Sequence, residues 1–185
     1  MIDKDAYRRI FEPKPIPADL IDLVEFQNDS AEFYSEGFEI VCDDGIGILS
    51  TYSNDEDFQN RFTVFAKADS TGSNYAFWAK GKDSSLEKCP VVVFGSEGGV
   101  RVVARDLREL LQLLSMDTEP MINWTSVVFY KGTDGQVSKR HSEFIEWLKI
   151  RNIDAISDTE AILTRAQSDF QSELDGLMKS VMEGP

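Results

Sequence analysis

His141 is the only histidine in this 185-residue chain. General acid–base catalysis, nucleophilic catalysis and most zinc sites draw on grouped reactive side chains, histidine foremost. His141 lies among basic residues just before an expected helix, so it reads as an exposed surface residue with neither a catalytic nor a metal-binding duty. Cysteine is almost as scarce. Cys42 and Cys89 stand alone, without the C-x-x-C spacing of a zinc site or a redox pair. Each sits in or beside an apolar run, and both read as small buried hydrophobes in a reducing compartment. No metal, cofactor or catalytic residue is implied.

Long hydrophobic runs are missing as well. Val91-Val92-Val93-Phe94 is strand-sized, far short of the roughly 20 apolar residues of a membrane helix. The opening Met1-Ile2-Asp3-Lys4-Asp5 has no basic stretch leading into an apolar one, so no signal peptide is expected. These absences predict a soluble protein of the cytoplasm with no membrane partner. Apolar residues make up 42% of the chain and aromatics 11%, enough for a core without disulfide or metal.

Positive charge is in short supply. Lys and Arg number 19 against 33 Asp and Glu, a net charge of −14. Such a field repels phosphate backbones, which argues against nucleic acid, and attracts a basic protein. It also serves solubility alone. The imbalance is concentrated: residues 1–60 hold 15 acidic and 4 basic residues, a balance of −11. Asp43 and Asp44 form one acidic loop there, and Asp55, Glu56 and Asp57 another. Neither has the alternating ligands and closing Glu of an EF-hand loop. They read as solvated loops or as a partner-binding patch.

Elements are legible along the chain. Residues 3–11 and 17–28 carry helical patterns, with Pro17 suited to a first turn and three prolines within the linking segment Glu12 to Pro17. Residues 38–41 read as a strand, Asp43-Asp44-Gly45 as a turn and residues 45–50 as the partner strand. Residues 53–60 read as a loop or one turn of helix. Runs 62–68, 75–79, 90–94 and 100–104 form an antiparallel meander, with turns at residues 69–74 and 95–99. Asp106 is an expected N-cap, followed by the stripe Leu107, Leu110, Leu111 and Leu114. Residues 126–130 fit strand or helix, and residues 132–135 a turn. A helix over 142–150 is expected, capped by Ser142, and Ser157-x-x-Glu160 fits a capping box. The stripe Leu163, Ala166, Phe170, Leu174, Leu177 and Val181 predicts a long last helix docked on the rest of the chain. The layout is α+β: an antiparallel sheet of about five to six strands flanked by N- and C-terminal helices, with 1–150 as the domain and 151–185 as the appended helix.

Gly95-Ser96-Glu97-Gly98-Gly99 has the glycine of a phosphate loop but lacks the Lys-Ser/Thr ending, and a strand follows it. It reads as a hairpin turn. Trp78, Trp124 and Trp147 read as core residues, although the polar surroundings of Trp124 also fit a surface position.

Residues 65–78, from Phe65-Ala66 through a small polar turn to Tyr75-Ala76-Phe77-Trp78, precede Cys89-Pro90-Val91-Val92-Val93-Phe94-Gly95-Ser96-Glu97-Gly98. Val102-Val103-Ala104 and the leucine-rich helix from Asp106 follow. This order resembles the SUKH superfamily, also called the SMI1/KNR4 family. The resemblance is good over residues 60–115 and loose over 16–60, where Pro17-Ala18-Asp19-Leu20 is similar to the family's leading segment; residues 116–185 carry none. It implies an α+β binding domain without catalytic residues. Bacterial members are commonly immunity proteins that neutralise a nuclease or deaminase toxin, and fungal members are scaffold-like regulators. Three readings follow: an immunity protein for a basic toxin domain, monomeric by preference; an interaction module without a toxin; and a small enzyme using carboxylates such as Glu97 and Asp106.

Overall fold

The computed structural model describes residues 1–81, 84–132 and 135–183. Five strands form one antiparallel sheet in chain order: β1 (Glu39–Ile40), β2 (Phe62–Lys67), β3 (Asn74–Trp78), β4 (Val91–Phe94) and β5 (Val100–Ala104). The sequential order follows from the short turns between β2 and β3 and between β4 and β5, which only antiparallel neighbours can use. Gly98 and Gly99, at φ 101° and 84°, close the second turn. All four residues of β4 are buried, which explains its unbroken apolar run. Such a run belongs to a strand covered on both faces.

Two helical layers provide that cover, so the fold is α+β with flanking helices. On one face, Phe65, Tyr75, Phe77, Val91, Val93 and Val103 meet four helices. These are α1 (Lys4–Arg9), α2 (Ala18–Asn28), α5 (Leu107–Leu114) and α6 (His141–Ile150). Asp106 caps α5 by accepting from the Glu109 N–H, and Leu107, Leu110, Leu111 and Leu114 are all buried. On the other face, Val64, Ala76, Trp78, Val92, Phe94 and Val102 meet α3 (Ile46–Tyr52), α4 (Glu56–Gln59) and α7 (Glu160–Glu183). Phe77 and Trp78 thus point to opposite faces, and both are buried.

Docking of α7 agrees with the expected stripe at Ala166 and Leu174, but Ile162 and Met178 are buried where Leu163 and Leu177 are expected. Ile162, Ala166, Leu174 and Met178 are buried, while Phe170, Leu177 and Val181 are half-buried. Among the described residues no helix is long and apolar enough to cross a membrane.

Edge strands leave backbone groups that need partners. Glutamines meet them at both ends of the sheet. Gln27 of α2 accepts from the Ile40 N–H (2.8 Å) and donates to the Ile40 carbonyl (2.9 Å). Gln171 of α7 accepts from the Val102 N–H (2.8 Å), and Gln167 donates to the Val102 carbonyl (3.3 Å).

A separate two-stranded sheet joins β6 (Glu119–Ile122) to β7 (Val127–Tyr130). Residues 126–130, which fit strand or helix, are therefore strand. Pro120 and Val127 turn inward, while Met121, Val128 and Tyr130 stay exposed. The central residues 133 and 134 of the expected turn at 132–135 lie outside the described residues.

Several local expectations are corrected. Residues 45–50 are not a strand: α3 occupies Ile46–Tyr52, and the partner of β1 is β2. Gly45 explains the switch. It sits at φ 70°, and a Cβ there would meet Val64 Cγ2 at 2.2 Å, so the chain turns tightly against β2 before entering the helix. Pro17 is the N-cap of α2 rather than a first-turn residue. Ser142 lies inside α6, whose N-cap is Arg140. The capping box at Ser157 does not form; α7 begins at Glu160, whose N–H donates to Asp158 Oδ1 (2.9 Å).

Candidate functional site

The five carboxylates singled out by sequence are all exposed. Asp43 Oδ1 accepts from the Gly45 N–H (2.8 Å), and Asp44 Oδ1 from the Ile46 N–H (3.0 Å). These bonds steer the chain into α3. Asp55 caps α4 by accepting from the Asp57 N–H (2.8 Å). Glu56 and Asp57 fill the first turn of α4, where the helix dipole favours negative charge. The two groups flank α3, whose length of about 10 Å separates them. They form two neighbouring patches on the cover of the second face, and no salt bridge links any of the five to a cation among the described residues.

A second acidic region gathers residues that are far apart in sequence. Glu36, Glu39, Asp69 and Glu119 line a groove of about 740 Å³ beside the β1–β2 edge, together with Lys67, Phe33 and Phe38. The cross-strand pairing of Glu39 with Lys67 brings these two side chains within 3.8 Å. Asp69 Oδ1 accepts from the N–H groups of Thr71, Gly72 and Ser73 at 2.8–2.9 Å. Burial pushes the Asp69 carboxyl up, but the Ser73 and Thr71 donors outweigh it and hold the group below its ordinary value. Glu119 accepts from the Tyr130 hydroxyl and raises the pKa of that phenol. Only topology reveals this groove, because its carboxylates come from three separate segments.

The loop that carries Phe33 and Glu36 is held by buried anchors. Tyr34 and Ser35 are buried, and the Ser35 hydroxyl donates to the Leu114 carbonyl (3.0 Å). The Glu36 N–H donates to Asp117 Oδ1 (2.8 Å), and the Arg140 N–H to the Phe33 carbonyl (3.1 Å). Asp117 also takes Lys131 Nζ (2.6 Å) and both the N–H and hydroxyl of Ser138 (2.8 and 2.6 Å). Between these anchors Phe33 remains 57% exposed.

Other residues are placed differently from expectation. His141 is half-buried rather than exposed, with Nδ1 at 3.1 Å from the Tyr34 carbonyl. Cys89 is buried, but Cys42 is exposed because β1 ends two residues earlier. Trp78 and Trp147 are core residues, whereas Trp124 is 60% exposed at the β6–β7 turn. Glu97 and Asp106 stand beyond opposite ends of β5, roughly 17 Å of strand apart, and Asp106 is spent on its cap. Among the described residues no three His, Cys, Asp or Glu side chains form a metal-binding group. No family model, curated protein or solved structure matches the chain.

Proposed function

We propose that this chain is a non-catalytic protein-binding domain of the immunity type, which works in the cytoplasm by covering the basic surface of a toxin domain. The observation that carries the reading is the concentration of exposed, unneutralised carboxylates in the first third of the chain, at Asp43, Asp44, Asp55, Glu56 and Asp57. The SUKH-like stretch supports it, since its residues build β2 to β5 and α5, the frame on which these loops stand. A toxin that acts on nucleic acid needs a positive surface for its substrate. A clustered acidic surface meets that patch, excludes the phosphates and speeds encounter. Exposed Met121, Trp124 and Val128 favour a second reading, an interaction module of the SMI1/KNR4 type with no toxin, because apolar side chains left in solvent often mark a binding face.

Co-expression with a toxin domain encoded in the neighbouring reading frame decides between them. The immunity reading predicts rescue of growth. It also predicts an association rate that falls as salt rises and falls further when Asp55, Glu56 and Asp57 are replaced by lysine, as expected for rim charges. Absence of rescue refutes immunity; rescue with an unchanged association rate refutes the acidic-loop mechanism.

A further inference from the structure

We infer that the pocket beside Trp124 anchors a basic protein partner by receiving from it an aromatic side chain that carries a hydrogen-bond donor. That the partner is basic rests on the proposed function; the chemistry of the pocket does not. A cavity of about 530 Å³ lies between α3 and the β4–β5 turn, lined by Ile48, Tyr52, Ser96, Trp124 and Met182 among others. None of the described residues that line it is charged, in a chain whose net charge is −14. Its surroundings are the reverse. Thr71 and Gly72 belong both to this pocket and to the acidic groove beside β1. The wall formed by α3 starts just after Asp43 and Asp44 and stops shortly before Asp55. An uncharged aromatic centre inside a charged rim is the anatomy of a protein-binding surface, with tryptophan and tyrosine as frequent anchors.

Trp124 is seated, although it is 60% exposed while Trp78 and Trp147 are buried. Its indole lies against Gly98, where a Cβ would meet Trp124 Cζ2 at 2.5 Å. Gly98 stands at φ 101°, so the turn presents bare backbone to the ring. Behind the indole, Asn123 Oδ1 accepts from the N–H groups of Thr125 and Ser126 (2.9 and 2.8 Å) and fixes the β6–β7 turn. A ring held in this way costs little ordering when a partner covers it.

The direction of the hydroxyl protons selects the occupant. The ionised Asp69 carboxylate only accepts, so the Thr71 hydroxyl donates to it (2.9 Å) and spends its one proton. In the 2.7 Å contact between Thr71 and Ser96, Thr71 therefore accepts and Ser96 donates. The Ser96 N–H is tied to Ser73 Oγ (3.1 Å), and the Tyr52 hydroxyl leans its proton toward the Gly99 carbonyl (3.4 Å). Ser96 thus turns lone pairs without a proton to the pocket and calls for a donor. A phenol supplies both a ring for Trp124 and an O–H for Ser96. Basic residues on either side of it meet the acidic rim. A second copy of this chain, at net charge −14, is repelled as an occupant.

NMR titration of the full chain with the end-capped peptide Lys-Lys-Tyr-Lys-Lys tests this. Parallel peptides carry phenylalanine or alanine at the centre, or glutamate in place of lysine. We expect saturable shifts of the Trp124 indole N–H and of the Thr71, Ser96 and Gly98 amides. The phenylalanine peptide binds several-fold less tightly for want of the hydroxyl, and the alanine and glutamate peptides leave these resonances in place. Trp124→Ala weakens binding about tenfold while the spectrum stays dispersed. Ser96→Ala removes the preference for tyrosine over phenylalanine and leaves phenylalanine binding unchanged, a result that mere support of the turn would not give. An equal response to the alanine peptide, shifts centred elsewhere, indifference to Trp124→Ala, or a tyrosine preference that survives Ser96→Ala overturns the proposal. So does para-cresol binding as tightly as the peptide, which assigns the pocket to a small molecule. A concentration-dependent shift of the same resonances without peptide overturns it too, in favour of a second copy. Tyrosine-peptide binding without rescue from the toxin sustains the pocket and rejects the immunity reading; rescue without peptide binding does the reverse.

Discussion

The hydroxyl of Tyr7 donates a 2.9 Å hydrogen bond to the carbonyl of Phe65, 58 residues along the chain. Phe65 is the residue at which the β2–β3 register slips, between the pairs Val64–Ala76 and Ala66–Tyr75. A bulge leaves its extra residue outside the ladder. Tyr7 therefore reaches from α1 to the carbonyl of the bulge residue, and it does so with no exposed surface. Tyr7→Phe is expected to cost about 1–3 kcal/mol, because the carbonyl stays buried without its donor. Urea unfolding followed by circular dichroism measures this; a cost near zero would mean that the bulge carbonyl finds another partner.

Gln171 plays the matching part at the β5 edge. Removing its side chain orphans the Val102 N–H and withdraws a 2.7 Å bond to Asp175 Oδ1. For Gln171→Ala we expect a loss of about 1–3 kcal/mol, read as a fall of several degrees in Tm for a chain of this size. Leucine at the same position tests the alternative that bulk alone matters. If Gln171→Leu unfolds at the original temperature, the hydrogen bonds contribute little.

Removal of residues 157–185 uncovers Val100, Val102 and their neighbours on the second face, which α7 now covers. We expect the shortened chain to aggregate and to bind hydrophobic dyes, both visible by light scattering and fluorescence. A shortened chain that remains monomeric and unfolds cooperatively would show that α3 and α4 suffice as cover.

Acid is expected to act through Asp117. Burial pushes this carboxyl up, but donors from Lys131, Ser138 and the Glu36 backbone outweigh it and lower its pKa in the folded state. Its contribution to stability is therefore complete above the unfolded value of about 3.9 and is lost as pH falls through the lower folded value. Asp117→Asn is expected to be less stable at pH 7 and to show a shallower loss of stability below about pH 4. Parallel acid titrations of unfolding free energy would reject this account if the two curves keep a constant separation.

Most of the frame was legible because its signals are redundant. Runs 62–68, 75–79, 90–94 and 100–104 combine apolar content with turn residues between them, and all four lie in the one sheet. The stripe from Leu107 to Leu114 has the period of a helix and a cap before it, and it packs as expected. Residues 45–50 misled because Ile46, Gly47 and Ile48 alternate like a strand. The Asp43 and Asp44 side chains, together with left-handed Gly45, start a helix there, and Leu49 is the residue that it buries. Ser142 and Ser157 show how weak a lone capping signal is when tertiary packing sets the first turn. The charge count located exposed carboxylates at residues 43–44 and 55–57, yet it could not register the groove. Glu36, Glu39, Asp69 and Glu119 meet only because β1 lies beside β2 and the β6–β7 hairpin folds back toward them.

The glutamines at Ile40 and Val102 also constrain how another protein can approach. With Gln27 and Gln171 already bonded to outward backbone groups of β1 and β5, the five-stranded sheet is closed to β-augmentation at those positions. An extended peptide finds no ladder to join there, and whatever it gains must come from its side chains. A partner segment with N-methylated backbone amides is therefore expected to bind as well as the native one, whereas a change in its charge pattern is not tolerated.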